Sequence, residues 1–274
     1  MRSIPALFIF ALCVHAQDPF EIQVYDGTAN EPGVPGVELH LNEWATGHRT
    51  AVPPELPLHG QAHATLEPSY GVLPFWEAGG YVQTALRSDG SFDWAGVKLR
   101  SKFVSPERPD AAWRFGLNLE VAYLPPAYDR DRWGVEVRPI VAWSGPGWLV
   151  AFNPILDQAL GPDGSEGPSF EPALKVARSL GPFALGIEYY GDLGPVASPL
   201  PFDDQEHYLY EVFDLLSAPG IEVNAGVGEG LTAASAGVVF KMIVGYAFDA
   251  VRPSPRATAS ASPRVGSALT SPRR

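Results

Sequence analysis

Residues 236–248, AGVVFKMIVGYAF, separate into two faces at period two. Val238, Phe240, Met242, Val244, Tyr246 and Phe248 are bulky and apolar, whereas Gly237, Val239, Lys241, Ile243, Gly245 and Ala247 are mostly small and include the segment's only charge. A strand points successive side chains to opposite faces. A run of ~10 residues with one wholly apolar face, ending in an aromatic, therefore has the makeup of a lipid-facing strand of a transmembrane barrel. One such strand would carry little weight, but the pattern recurs along the chain.

Segments of this kind, set apart by Pro and Gly, fall at 36–44, 61–70, 75–86, 91–104, 111–124, 133–144, 147–156, 169–179, 183–192, 206–215, 220–228 and 236–248. Counted from residue 36, the even connections are all short, for example Gly71–Pro74 and Gly145–Pro146. The odd ones are mostly long, for example Ala45–Gly60 and Leu193–Gln205, with Arg87–Gly90 as the short exception. Short turns on one rim, long loops on the other and an even strand number describe a bacterial outer-membrane barrel. The expected fold is an all-β transmembrane antiparallel up-and-down barrel of about twelve strands. Phe20–Tyr25 (FEIQVY) also alternates, but it is shorter than the ~9–11 residues of a tilted span. Residues 17–35 are accordingly read as a periplasmic lead-in and 36–248 as the barrel, with a fourteen-strand barrel as the alternative.

The faces agree strand by strand. In 111–124, Trp113, Phe115, Leu117, Leu119, Val121 and Tyr123 share one face, and Arg114, Gly116, Asn118, Glu120 and Ala122 share the other. A soluble β-sandwich could also alternate, but it would rarely carry aromatics at both ends of its apolar face. Trp113 with Tyr123, Trp133 with Trp143, and Phe183 with Tyr189 lie near opposite strand ends, as two interfacial girdles require. Phe248 is the expected terminal aromatic, anchoring the last strand at the periplasmic rim.

The termini differ from this body in composition. Arg2, an apolar stretch from Ile4 to Val14 and Val14-His15-Ala16 before Gln17 fit a secretory signal peptide cleaved after Ala16. Cys13 lacks the small preceding residue of a lipidation site. Past residue 16 no run of ~18 apolar residues offers a helical span. Residues 249–274 are rich in Pro, Ser, Ala and Arg, poor in large apolar side chains and expected to be disordered. Between residues 17 and 248 the acids outnumber Lys and Arg by 17, which argues against a nucleic-acid partner. The expected partners are outer-membrane lipid, the barrel-assembly machinery and a small solute.

The inward faces collect Lys98, Arg100, Lys102, Arg114, Asn118, Glu120, Glu136, Arg138, Lys175, Glu188, Glu222 and Lys241, together with Glu38, His40, Asn42, Glu67, Glu77, Gln83 and Asn224. Two explanations stand side by side. Such groups can pair across strands and stiffen a narrow lumen, since unpaired charge there is costly. Alternatively, the Lys98, Arg100, Lys102 ladder can oppose the acids in a transverse field that orients a polar or amphipathic solute. Were these three cations to face lipid, each would cost ~2–4 kcal/mol near the midplane, so they must point inward. Replacing all three by Gln is expected to shift ion selectivity toward cations with folding nearly intact.

Catalysis and cofactors find little support. Glu67, Ser69 and His63 share a strand, but nothing resembles a nucleophile elbow. His40, His48, His59, His63 and His207 are too dispersed along the sequence for a metal-ligand spacing, so no metal and no cofactor are expected. Gly226-Val227-Gly228-Glu229-Gly230 lacks the Lys-Ser/Thr partner of a phosphate loop.

The segments FEIQVYDGTANEPG, VELHLN, LEPSYGVLPFWEAGGYVQ, FALGIEYYGDLG and GVGEGLTAASAGVVFKMIVGYAF together resemble the bacterial outer-membrane proteins grouped with the meta-pathway of phenol degradation. The similarity runs over most of residues 20–248, and the tail beyond Phe248 departs from the group's usual ending. The resemblance implies an outer-membrane channel for small organic solutes, aromatic ones included, and brings no catalytic residues. A non-transporting structural or surface-interaction barrel, its lumen closed by salt bridges, is the alternative.

Overall fold

The computed structural model describes residues 18–51, 53–106, 111–216 and 220–248. The expected signal peptide and the whole Pro/Ser/Arg-rich tail from residue 249 lie outside them. Twelve strands, each paired antiparallel with its sequence neighbours, close into one barrel: β1 (Pro35–Thr46), β2 (Gln61–Leu73), β3 (Trp76–Leu86), β4 (Phe92–Val104), β5 (Trp113–Tyr123), β6 (Trp133–Gly145), β7 (Trp148–Ala159), β8 (Ser169–Leu180), β9 (Phe183–Asp192), β10 (Glu206–Leu215), β11 (Ile221–Gly230) and β12 (Val238–Ala247). Closure is made by β12 on β1, from Gly36 opposite Ala247 to Glu43 opposite Phe240. A closed ring leaves no unpaired edge, which a bilayer requires of a sheet. A strand of ~10 residues at ~3.3 Å each, tilted ~40°, rises ~25 Å, the height of a barrel's apolar band.

Side-chain alternation then decides the two surfaces. On the outside, Leu99, Trp113, Phe115, Val121, Ile187, Leu209, Phe240 and Met242 are exposed, an arrangement suited to hydrocarbon and costly in water. Aromatic stacks mark both ends of this band. Trp76 lies on Phe103 and Phe183 on Phe213 at the short-turn rim, while Trp94, Tyr123 and Trp133 adjoin one another at the long-loop rim. Phe248 follows β12 at the short-turn rim and meets Tyr246 edge-on at 5.0 Å. Exposed Glu43, Glu211 and Glu229 interrupt the outer face, Glu211 in mid-strand between Leu209 and Phe213.

Phe20–Tyr25 is neither a strand of the wall nor a lead-in outside it. The described part of the segment, from residue 18 to Val34, runs through the lumen before entering β1, and Phe20, Glu21, Ile22, Val24 and Tyr25 are all buried. This corrects the periplasmic placement and removes the reason for a fourteen-strand count. The alternation serves a lumen with two unlike sides. Ile22 and Val24 pack into an apolar cluster with Trp44, Ala151, Ala173, Tyr208 and Val239, and Phe20 joins Ala85, Ala95 and Leu124. Glu21, Gln23 and Tyr25 turn to the charged side.

Candidate functional site

Inside the barrel the inserted segment lacks a β-ladder, and wall side chains supply its backbone partners instead. Asn153 clamps Tyr25 from both directions: its Oδ1 accepts the Tyr25 N–H at 2.7 Å and its Nδ2 donates to the Tyr25 carbonyl at 2.9 Å. Lys241 donates to the carbonyl of Ile22, Arg138 to that of Gln23 and Arg114 to that of Asp26. The Pro19 carbonyl accepts from Asn42. Near the short-turn rim the segment crosses the end of β2, where the Gly33 N–H donates to the Gly71 carbonyl at 2.7 Å and the Gly71 N–H donates to the Val34 carbonyl at 3.0 Å. Only glycine fits at 71, because a Cβ there would stand 2.2 Å from the Glu31 carbonyl oxygen. Gly27 and Gly33, at φ of 80° and 81°, make the turns that carry the chain from lumen to wall.

The inward residues named from the sequence come together in three connected groups. In the first, on β1 to β4, Glu67 pairs with Arg100, while Glu77 forms ion pairs with Arg100 at 2.8 Å and with Lys102 at 2.9 Å. The second joins Lys98 to Glu120 at 3.1 Å and to Asp18, and Arg138 grips Glu136 through two bonds of 2.7 and 2.9 Å. Asn118 donates to Glu120 at 2.8 Å. Glu21 sits between the last two cations, 3.7 Å from Lys98 and 3.6 Å from Arg138. In the third, Glu188 takes Lys175 at 3.1 Å and Lys241, and Lys175 also reaches Asp214 at 2.7 Å. Arg114 pairs with Asp26 at 3.0 Å, and Glu222 is exposed at the short-turn rim.

These pairs revise one expectation. Replacing Lys98, Arg100 and Lys102 together would strand the buried carboxylates Glu67, Glu77 and Glu120, and an orphaned buried charge costs roughly 3–5 kcal/mol. Folding therefore would not stay intact. Ser69 and His63, six residues apart on β2, stand ~20 Å from each other along the strand, too far for nucleophile and base. Glu38 and Glu67 face each other across β1 and β2, and with His40 they bring three donor atoms within 4.8 Å of one another. Spacing along the sequence concealed this trio, since it forms across strands and only one histidine takes part.

Tyr25 occupies the middle of the charged side. Its ring centre lies 4.7 Å from the Arg138 guanidinium, 5.2 Å from the Lys102 ammonium and 5.8 Å from the Arg100 guanidinium. Its hydroxyl meets Glu21 at 2.9 Å and Tyr81 at 2.8 Å. Below it, toward the short-turn rim, a cavity of 690 Å³ stays open between Glu38, Lys102, Arg114, Lys175, Asp214 and Glu222. The long-loop half of the lumen is filled by residues 18–24. Asn153 and Tyr25 were not singled out in the sequence; an Asn on the inward face of an otherwise apolar strand, FNPIL, was the available signal.

Fold and outer face together define a small closed antiparallel barrel of the outer-membrane kind. Among solved structures, the chain is similar to the COG4313 outer membrane channel from Pseudomonas putida F1, at 11% identity and a TM-score of 0.62 over 83% of this chain and all of that one. The KdgM porin and the NanC porin each align at 8% identity and a TM-score of 0.51, over 77% of this chain and 98% of theirs. At these identities the likeness is one of fold. No known protein family matches the chain, and no curated protein does.

Proposed function

We propose that the protein is a gated channel of the bacterial outer membrane for small organic solutes, aromatic ones included, and that residues 18–26 are its closing element. The setting of Tyr25 carries this reading. The phenol ring sits among three cations, with its hydroxyl on a carboxylate and a second tyrosine, and these surroundings support an emptied lumen that receives a free aromatic solute in the same way. The apolar cluster opposite would receive the rest of such a molecule. The resemblance to the meta-pathway phenol-degradation group and the fold shared with channels and porins support the same reading. The chain is inserted by the barrel-assembly machinery and works without a cofactor or a catalytic step.

The filled long-loop half favours a second reading, a barrel permanently closed by its own segment with a structural role. Solute flux separates the two. In liposomes, a variant lacking residues 18–33 should admit phenol-sized aromatic solutes faster than a disaccharide of similar concentration, whereas the intact chain admits both slowly. Flux through the variant alone, with none measurable through the intact chain and each protein shown to be folded by heat-modifiable migration, would support the permanently closed barrel.

A further inference from the structure

We propose that Glu38, His40 and Glu67 on the lumen wall form a binding site for a first-row divalent cation, zinc being the natural probe, and that Gln23 of the inserted segment completes it. The three wall donors already converge within 4.8 Å, with His40 Nε2 lying 3.0 Å from Glu67 Oε2 and 3.7 Å from Glu38 Oε2. One imidazole with two carboxylates suits zinc, while calcium and magnesium prefer oxygen alone.

Two further observations point to a ligand. The Gln23 side chain donates from Nε2 to Glu38 Oε2 at 3.1 Å, and its Oε1 is buried without a partner. Turning that amide over puts a carbonyl oxygen, a metal donor, where the nitrogen now stands. His40 is fully buried, and its ring is packed edge-on against Tyr81, so the imidazole is already immobilised with Nε2 toward the carboxylates. The two oxygens of Glu67 are also divided: Oε2 faces His40, and Oε1 is occupied by Arg100. A supporting cation on the far oxygen holds the carboxylate for one-point ligation, as outer-shell partners do in metal sites.

Bound there, the ion would tie the inserted segment to β1 and β2, and occupancy would decide how readily the lumen empties. This does not depend on which solute passes, or on whether any does. The test is calorimetric titration of zinc chloride into untagged, full-length mature protein stripped by chelator in detergent, alongside hydrogen exchange of residues 18–26. One zinc per chain is expected, together with slower exchange of the segment. Affinity should fall about 100-fold in His40→Gln and in Glu38→Gln, and on the order of 10-fold in Gln23→Ala. A His48→Ala, His59→Ala double variant should bind like wild type. Each variant is first checked for heat-modifiable migration; Glu38, partly exposed, is the substitution least able to disturb folding. Absent saturable zinc binding, or binding unchanged in both His40→Gln and Glu38→Gln, overturns the site. Zinc binding that leaves exchange of residues 18–26 unaltered overturns the tie to the segment. Neither result bears on solute flux, so failure here is distinguishable from failure of the channel reading.

Discussion

Asn153→Ala should release the inserted segment while leaving the wall in place. The amide is fully buried, and its two hydrogen bonds both go to the backbone of Tyr25, 128 residues away. Truncation leaves one peptide N–H and one C=O unpaired inside the lumen, at ~1–3 kcal/mol each. Water entering the space vacated by the amide offsets part of this, so the docked state loses ~2–4 kcal/mol. At 1.4 kcal/mol per factor of ten, the undocked fraction rises roughly 30- to 700-fold. Hydrogen exchange followed by mass spectrometry reads this directly: peptides covering residues 20–26 should exchange faster by that factor, and those from β6, β7 and β8 should not change. Exchange of residues 20–26 at the wild-type rate, or loosening of the wall strands before the segment, would refute the reasoning.

Four other outcomes follow from particular residues. Gly71→Ala should expel the stretch around Glu31 from the end of β2, since the added methyl would overlap the Glu31 carbonyl; limited proteolysis should cut near Asn30 in the variant and not in the wild type. Lys102→Gln removes a cation that lines the cavity while leaving its partner Glu77 bonded to Arg100 and to the Asn30 N–H, so the barrel should fold and any open channel should shift toward cation selectivity in reversal-potential measurements. Phe248→Asp puts charge in the aromatic girdle at a cost of roughly 1–3 kcal/mol and should reduce the membrane-inserted, heat-modifiable fraction in cells. Glu211→Leu removes a lipid-facing carboxylate from mid-strand, and unfolding in urea should show a gain of about 1–2 kcal/mol.

The wall of the barrel was legible because lipid imposes a strict code. Every spanning strand must present an apolar row, so the row in Trp113–Tyr123 or Val238–Phe248 is visible without any neighbour, and observed strand ends fall within three residues of those read from the sequence. The interior follows no such code. FEIQVY alternates just as a short strand does, and nothing local distinguishes pairing in a sheet from packing between an apolar and a charged side of a lumen. The partners that settle the matter, Asn153, Lys241 and Arg138, are more than 100 residues away and become neighbours only when the ring closes. For the same reason the inward cations could be named but their pairing could not. Glu67 meets Arg100 and His40 through a register that the alternation alone leaves open, and the convergence of Glu38, His40 and Glu67 arises across the β1–β2 pair.

The most direct test of residues 18–26 as the closing element is conductance with the segment tethered and then freed. Val24 and Ala173 belong to one buried cluster, and cysteines introduced at both are to be joined by a bifunctional thiol-reactive linker that carries a reducible bridge. In a planar bilayer the bridged protein should stay silent, and cleavage of the bridge by a thiol reductant should allow discrete openings in the same membrane. Identical conductance before and after reduction, with the bridge and its cleavage verified by mass, would contradict the account.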